Sequence, residues 1–287
     1  MSATRKPRSK VWQALLPHLI LIPATIVTLY PVLWVIKMAL SPSQAFDASA
    51  NPFPTEFSLE NFSVLLSERT KDGTLLFPRQ ALNSIIVAGG TTLVGILLST
   101  TAAYAFSRFR FPGRQKALVA LLLTQIFPGV VMTVPLYIIL DFVGLLDAYS
   151  GLILVYSTTA IPFCTYTLKG YFDTLPKELE EAALIDGASH AVIFWRIMLP
   201  LAKPAIAVTA LFSFMTAWNE FILAATFMND EKMFTLPVAL QRHVGEWGTD
   251  WGYFAAGALL ASSVVMAVFF ALQKHLVGGL TAGGVKG

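Results

Sequence analysis

Trp218, Asn219 and Glu220 stand together inside an apolar stretch that runs from about residue 204 to 228. An indole face, an amide and a carboxylate are groups that can stack on a sugar ring and hydrogen-bond its hydroxyls. A charged carboxylate near the centre of a membrane helix costs about 2.5–3.5 kcal/mol on the insertion scale. Glu220 is therefore expected to face a cavity or a partner helix, and intramembrane ionisable residues are functional by default. Two readings of the trio stand side by side: contact with a polar solute, and an interhelical hydrogen bond. Bond-making chemistry has little support. The single cysteine, Cys164, lies in an apolar stretch and the four histidines are scattered, so neither a disulfide framework nor a metal site is expected. No nucleophile–base constellation is visible. The pattern G-x-x-x-x-G-K-[ST] is absent, so no loop of that type cradles ATP phosphates.

A second constellation spans residues 181–200: Glu181-Ala182-Ala183, three residues, Gly187, nine residues, then Ile197-x-Leu199-Pro200. Pro176 suits a first helical turn, with Asp173 or Thr174 as cap candidates. Glu178, Glu180 and Glu181 favour the positive end of that helix, and Lys177–Glu181 makes an i,i+4 pair in the weaker orientation. Gly187 is expected to stop the helix in a left-handed conformation, where a residue with a Cβ pays roughly 1 kcal/mol or more. Ser189 caps a second helix running to Leu199, which Pro200 and Pro204 end. Val192, Ile193, Phe194, Trp195, Ile197, Met198 and Leu199 line that second helix on nearly every side. A solvated helix is amphipathic, and an apolar surface of this size marks an interaction site. Part of it is expected to pack under the rest of the chain and part to dock a partner.

The elements that position these residues follow from composition. The chain is 55% hydrophobic and 13% charged, against about 25% charged in soluble domains, so a bilayer is the expected solvent. Net charge +3 without basic–aromatic interleaving argues against nucleic acid. About 20 apolar residues cross a bilayer, and six stretches qualify: 12–40, 82–106, 117–140, 149–169, 204–228 and 253–274. Backbone groups must be satisfied within lipid, so an all-α membrane protein with six transmembrane helices is expected. The first run is too long for a cleaved signal. Pro17, Pro23 and Pro31 within it suit either a moving hinge or a static bend. Lys and Arg concentrate in the tail 1–11, in 107–116, in 169–203 and at the C-terminus. By the positive-inside rule these segments and both termini are cytoplasmic, and the loops 41–81, 141–148 and 229–252 face outward. The transmembrane body then covers 82–277, with a cytoplasmic tail at 278–287. Gly257 and Ala261 allow close helix packing.

The pattern EAA-x3-Gly-x9-Ile-x-Leu-Pro resembles the signature of the binding-protein-dependent ABC importer permeases, and every fixed position fits. The likeness extends to Asn83-Ser84 opening the second span, to Ala102-Ala103-Tyr104-Ala105-Phe106-Ser107-Arg108-Phe109-Arg110-Phe111-Pro112-Gly113 closing it, and to Trp218-Asn219-Glu220-Phe221. Within the sugar-permease group the chain is most similar to the MalG type of the maltose/maltodextrin importer. Gly279 to Gly287 and Trp251-Gly252-x-Phe254-Ala255-Ala256 carry that similarity, whereas Trp218-Asn219 is commoner in the wider group. The resemblance implies a helix–Gly–helix element seated in an ATPase subunit, with Glu181, Ala182, Ala183, Asp186, Gly187, Phe194, Trp195, Ile197, Leu199 and Pro200 as the coupling residues.

The resemblance also implies a bacterial inner-membrane location. Its partners would be a second homologous permease (MalF-like), a homodimeric MalK-like ATPase that holds ATP and Mg, and a periplasmic or surface solute-binding protein. No cofactor is expected on this chain. Arg242, Glu246, Trp247, Asp250 and Trp251 become candidates for binding-protein contact, beside the plainer reading of interfacial tryptophans. Gly283, Gly284 and Lys286 become candidates for tail contact to the ATPase. Trehalose, glycerol phosphate or another solute remain alternatives to maltodextrin. A self-sufficient secondary transporter is the rival class, but no inverted repeat is evident.

Overall fold

The computed structural model describes residues 10–245 and 248–283. The chain divides into two compact units: residues 1–67 with 243–260, and residues 68–242 with 261–287.

In the first unit, α1 (Lys10–Ala39) runs through Pro17, Pro23 and Pro31 as one helix. Its apolar side chains, from Leu19 to Val32, are exposed, as a helix solvated by lipid or by another subunit requires. Its C-terminal carbonyls need partners once away from water. Asn61, on α2 (Glu60–Ser67), supplies them: its side-chain amide donates to the carbonyls of Met38, Ala39 and Ser41. Lys37 is only 2% exposed. It pairs with Asp47 at 2.6 Å and donates to the Ser49 hydroxyl and the Asn51 carbonyl. The hydrogen bond from Lys37, with the Ser49 backbone N–H, holds the Asp47 carboxyl down at about 2. A short hairpin, β1 (Val244–Gly245) with β2 (Gly248–Thr249), leads into α13 (Trp251–Gly283). A Cβ at Gly252 would stand 2.7 Å from the Asn61 amide and 2.8 Å from Gln44, so a larger residue at the entry to α13 would displace these two side chains.

The second unit is built on α3 (Leu76–Arg108), α6 (Tyr149–Thr174) and α10 (Lys203–Trp218), which pack on one another. Gly95 lies where α3 meets both neighbours: a Cβ there would make ordinary contact with the Ser213 hydroxyl at 3.5 Å and with Ala160 at 3.8 Å. The span expected from residue 82 starts at Leu76, six positions inside the expected outer loop. Arg79 and Gln80 interrupt the apolar run, yet Leu76, Phe77 and Gln80 are buried, because the turn at 69–75 closes back on the helix start. The expected third span is broken. α4 (Arg114–Leu123) and a 3-10 turn (Thr124–Ile126) meet α5 (Gly129–Phe142) at 99°. Pro128, ahead of Gly129, disfavours the α conformation at Phe127, which is extended.

The fifth span is broken too. α10 ends at Trp218, and α11 (Ile222–Phe227) resumes after Asn219–Phe221. α12 (Leu236–Gln241) closes the outer segment. Among the described residues, four helices are each long and apolar enough to cross a membrane, and up to six spans result if two bent pairs, 114–126 with α5 and 190–201 with α10, each count as one.

Candidate functional site

The 178–201 segment folds as two short helices joined at glycine. α7 (Glu178–Ile185) begins with three glutamates in its first turn, where the helix dipole favours them. The expected caps are not used. α6 continues through Thr174, Asp173 instead accepts from Ser107 and Lys169 at 2.6 Å each, and Lys177 holds the cap position without a side-chain bond. At its end the chain makes the expected left-handed stop. Gly187 has φ +83°, its N–H bonds Leu184 O at 3.0 Å, and the Ala188 N–H bonds Ala183 O at 2.9 Å. These are the paired closing bonds of a Schellman motif.

The second arm starts at Ser189, whose hydroxyl accepts the Val192 N–H. α8 (His190–Ile193) passes into a π-helical turn (Phe194–Met198) and then α9 (Leu199–Leu201). The arm therefore continues through Pro200 rather than ending there. Proline removes the i→i−4 bond and crowds the carbonyl of Arg196; the wider turn just before it, closed by Leu199 N–H to Phe194 O, accommodates that ring. The chain then turns by 75° into α10, with Pro204 in that helix's first turn.

The apolar residues of the two arms divide between two faces. Ile193, Phe194 and Met198 are buried with Ala183, Ala103, Tyr104, Leu168 and Phe172. The other face stays open: Leu184 is 44% exposed, Ile185 87%, Val192 39% and Trp195 56%. Glu181, Ala182, Asp186 and Gly187 are exposed beside them, whereas Ile197 and Leu199 are half-buried. Of the candidate coupling residues, Ala183 and Phe194 thus serve the interior.

The element is fastened to the end of α3. Glu180 is buried; one carboxylate oxygen accepts the Arg108 Nε–H and the other the Tyr104 hydroxyl at 2.9 Å. Arg108 Nη2 also donates to Leu175 O at 2.9 Å. The Tyr104 ring lies 5.0 Å from that of Phe194, and the Phe109 ring 5.4 Å from that of His190. Reading the sequence alone treats Ala102–Gly113 as the end of a span and Glu180 as a dipole partner. The signal that would have joined them is an arginine and a tyrosine at i,i+4 on one helix face.

Trp218, Asn219 and Glu220 fall at the break between α10 and α11, not within a continuous helix. Trp218 is 4% exposed and stacks on Phe214. Asn219 is exposed, its amide bonded to Met215 O. Glu220 accepts from the Tyr156 hydroxyl at 2.7 Å and from the N–H groups of Leu223 and Ala224 at 3.0 and 3.1 Å. Its carboxylate thus satisfies the first free donors of α11. Nearby, a cavity of about 980 Å³ opens at the α4–α5 bend, walled by Thr124, Gln125, Phe127, Met132, Thr159 and Leu223 among others. None of the trio lines it.

At the expected outer end, Asn83 donates to the carbonyls of Lys232 and Phe234, and Ser84 accepts the Leu236 N–H at 2.7 Å. Arg242 pairs with Glu231 and lies over the Phe234 ring. In the first unit, Asp250 is exposed with its N–H on His243 O, and the Trp251 ring meets Phe46 edge-on at 5.1 Å. Of the remaining candidates, Glu246, Trp247, Gly284 and Lys286 lie outside the described residues, and Gly283 is the last residue of α13.

Residues 75–281 match the family described as binding-protein-dependent transport system inner membrane component. Over the whole of both chains, this sequence is 36% identical to the galactooligosaccharides transport system permease protein GanQ of Bacillus subtilis. It is 36% identical to the maltose/maltodextrin transport system permease protein MalG of Escherichia coli, across 98% of this chain and 99% of that one. A chain in the crystal structure of a bacterial ABC transporter involved in the import of the acidic polysaccharide alginate shares the fold, with TM-score 0.76 and 22% identity. That likeness covers 95% of this chain and 99% of the other.

Proposed function

We infer, from the premise that this chain belongs to the family of binding-protein-dependent transport system inner membrane components, that it is a sugar permease subunit driven by a separate ATPase. It forms half of the translocation pathway, and a second permease forms the other half. The observation that carries this reading is the exposed apolar face of the 178–201 element. Its buried face is already satisfied by α3 and α6, while Ile185, Val192 and Trp195 keep 87%, 39% and 56% of their surface open. A lipid-facing role does not suit a segment flanked by Glu178, Glu181, Asp186 and Arg196. A cleft on a soluble subunit does.

The distribution of Lys and Arg supports a cytoplasmic position for this element and for both termini. ATP and Mg belong to the docked subunit, and its closure moves the paired 178–201 elements together. Each ligand biases the inward-open and outward-open states only by its differential affinity for them. The transported molecule is an oligosaccharide of the maltose/maltodextrin class; the relative named for galactooligosaccharides makes that the competing substrate. The outer segment with Arg242, Asp250 and Trp251 meets a solute-binding protein, and the C-terminal tail meets the ATPase pair.

The test is co-purification with the candidate ATPase, second permease and binding protein, followed by ATP hydrolysis with maltose, maltodextrin, trehalose and galactooligosaccharides. Stimulation by maltodextrin is expected. Uptake by this chain alone, driven by an ion gradient in ATP-free vesicles, would overturn the reading in favour of a secondary transporter.

A further inference from the structure

We propose that Arg108 and Tyr104, at the end of α3, are positioning residues that make the 178–201 element a rigid extension of that span, so that movement of the element is passed to the helix core. This rests on the reading of 178–201 as the ATPase-coupling element. α7 is two turns long, and its buried side chains are only Glu180 and Ala183. Isolated helices of that length do not hold themselves, so their orientation is set by what grips them.

The grip is specific. The two carboxylate oxygens of Glu180 are taken by two different residues of one α3 face, Arg108 and Tyr104. The side chains of Arg108 and Glu180 are only 6% and 11% exposed. A buried ion pair is poor at adding stability, because desolvation offsets attraction, but it penalises any arrangement that separates the charges. The guanidinium also binds Leu175 O, fixing the chain just ahead of α7. Ser107 and Lys169 hold Asp173 one turn earlier.

Tyr104 reaches both arms of the element: its hydroxyl holds Glu180 on the first, and its ring contacts Phe194 on the second. Phe109 adds His190. A push on α7 or α8 therefore has a short path into α3, which packs along α6 and α10. Without these bonds the element would still present its exposed face, but it would pivot on its loops. ATP would be consumed with less displacement of the spans.

The experiment uses the complete transporter in proteoliposomes and reads ATP hydrolysed per sugar imported, beside ATPase retention on the purified complex. For Arg108→Gln we expect retained ATPase and a ratio raised at least fivefold, with Arg108→Lys recovering part of the loss. Tyr104→Phe, which removes one hydroxyl and keeps the ring, is expected to raise the ratio about two- to threefold. It is the deciding variant if Arg108→Gln does not insert. An unchanged ratio in an assembled complex overturns the positioning role and leaves the docking reading intact. If instead Ile185→Glu or Trp195→Ala complexes keep the ATPase with unaltered affinity, the docking premise itself fails.

Discussion

Replacing Glu220 separates its two possible duties, binding sugar and closing the α10–α11 break. In Glu220→Ala the backbone N–H groups of Leu223 and Ala224 lose their acceptor, and loss of a helix cap costs about 1 kcal/mol. The Tyr156 hydroxyl loses its 2.7 Å partner, and an orphaned buried donor costs about 1–3 kcal/mol. Together these predict a loss of about 2–4 kcal/mol. At about 2–4 °C per kcal/mol for a unit of this size, the melting temperature should fall by roughly 5–15 °C. Glu220→Gln keeps one acceptor for Tyr156 or for one amide, so a drop of less than half is expected. The assay is thermal unfolding of the detergent-purified complex, followed by fluorescence-detected size exclusion, with transport measured on the folded fraction. A Glu220→Ala complex that melts like the parent but no longer transports sugar would refute this reasoning. It would return the carboxylate to the substrate.

On the coupling face, Trp195→Ala should weaken ATPase binding by about 30-fold, since buried tryptophan anchors are commonly worth about 2 kcal/mol or more; titration of the purified ATPase measures it. Gly187→Ala places a Cβ at φ +83° with no neighbour within 4 Å. The expected cost is therefore backbone strain alone, about 1–2 kcal/mol, seen as a lower melting temperature with less efficient coupling. For Asp147, burial raises the carboxyl pKa, but the backbone N–H groups of Asp230 and Asn229 outweigh it and the net shift is downward. Its stabilisation is therefore present above pH about 4 and is lost as pH falls through the lowered value. Hydrogen exchange at Asn229 and Asp230 should quicken over that acid range, and Asp147→Ala should show the faster exchange already at neutral pH.

Much of the architecture was legible in residue types alone. The apolar runs announce membrane helices because length and hydropathy are properties of consecutive residues. Gly187 announces a left-handed stop because only local sterics decide it, and Ser189 announces a cap because its partner is three residues away. The apolar second arm signals a partner, since more apolar surface lies on it than one packing face needs. What escaped depends on distance along the chain. Nothing near Glu180 indicates that its carboxylate meets Arg108 and Tyr104, more than seventy residues earlier.

Hydropathy also averages over a window, so it joins α4 to α5 across a 99° bend and α10 to α11 across a break in the helix. The break at Asn219–Phe221 is held by a side chain, Glu220, rather than by any proline or glycine that would betray it. Trp218 looks available for a sugar until the third dimension lays it on Phe214. Sequence by itself determined the apolar solvent, the helical runs and the left-handed stop at Gly187, because those follow from local composition and sterics. Tertiary structure alone decided which polar groups are already satisfied, because a hydrogen bond is a fact about proximity, and folding brings distant residues together.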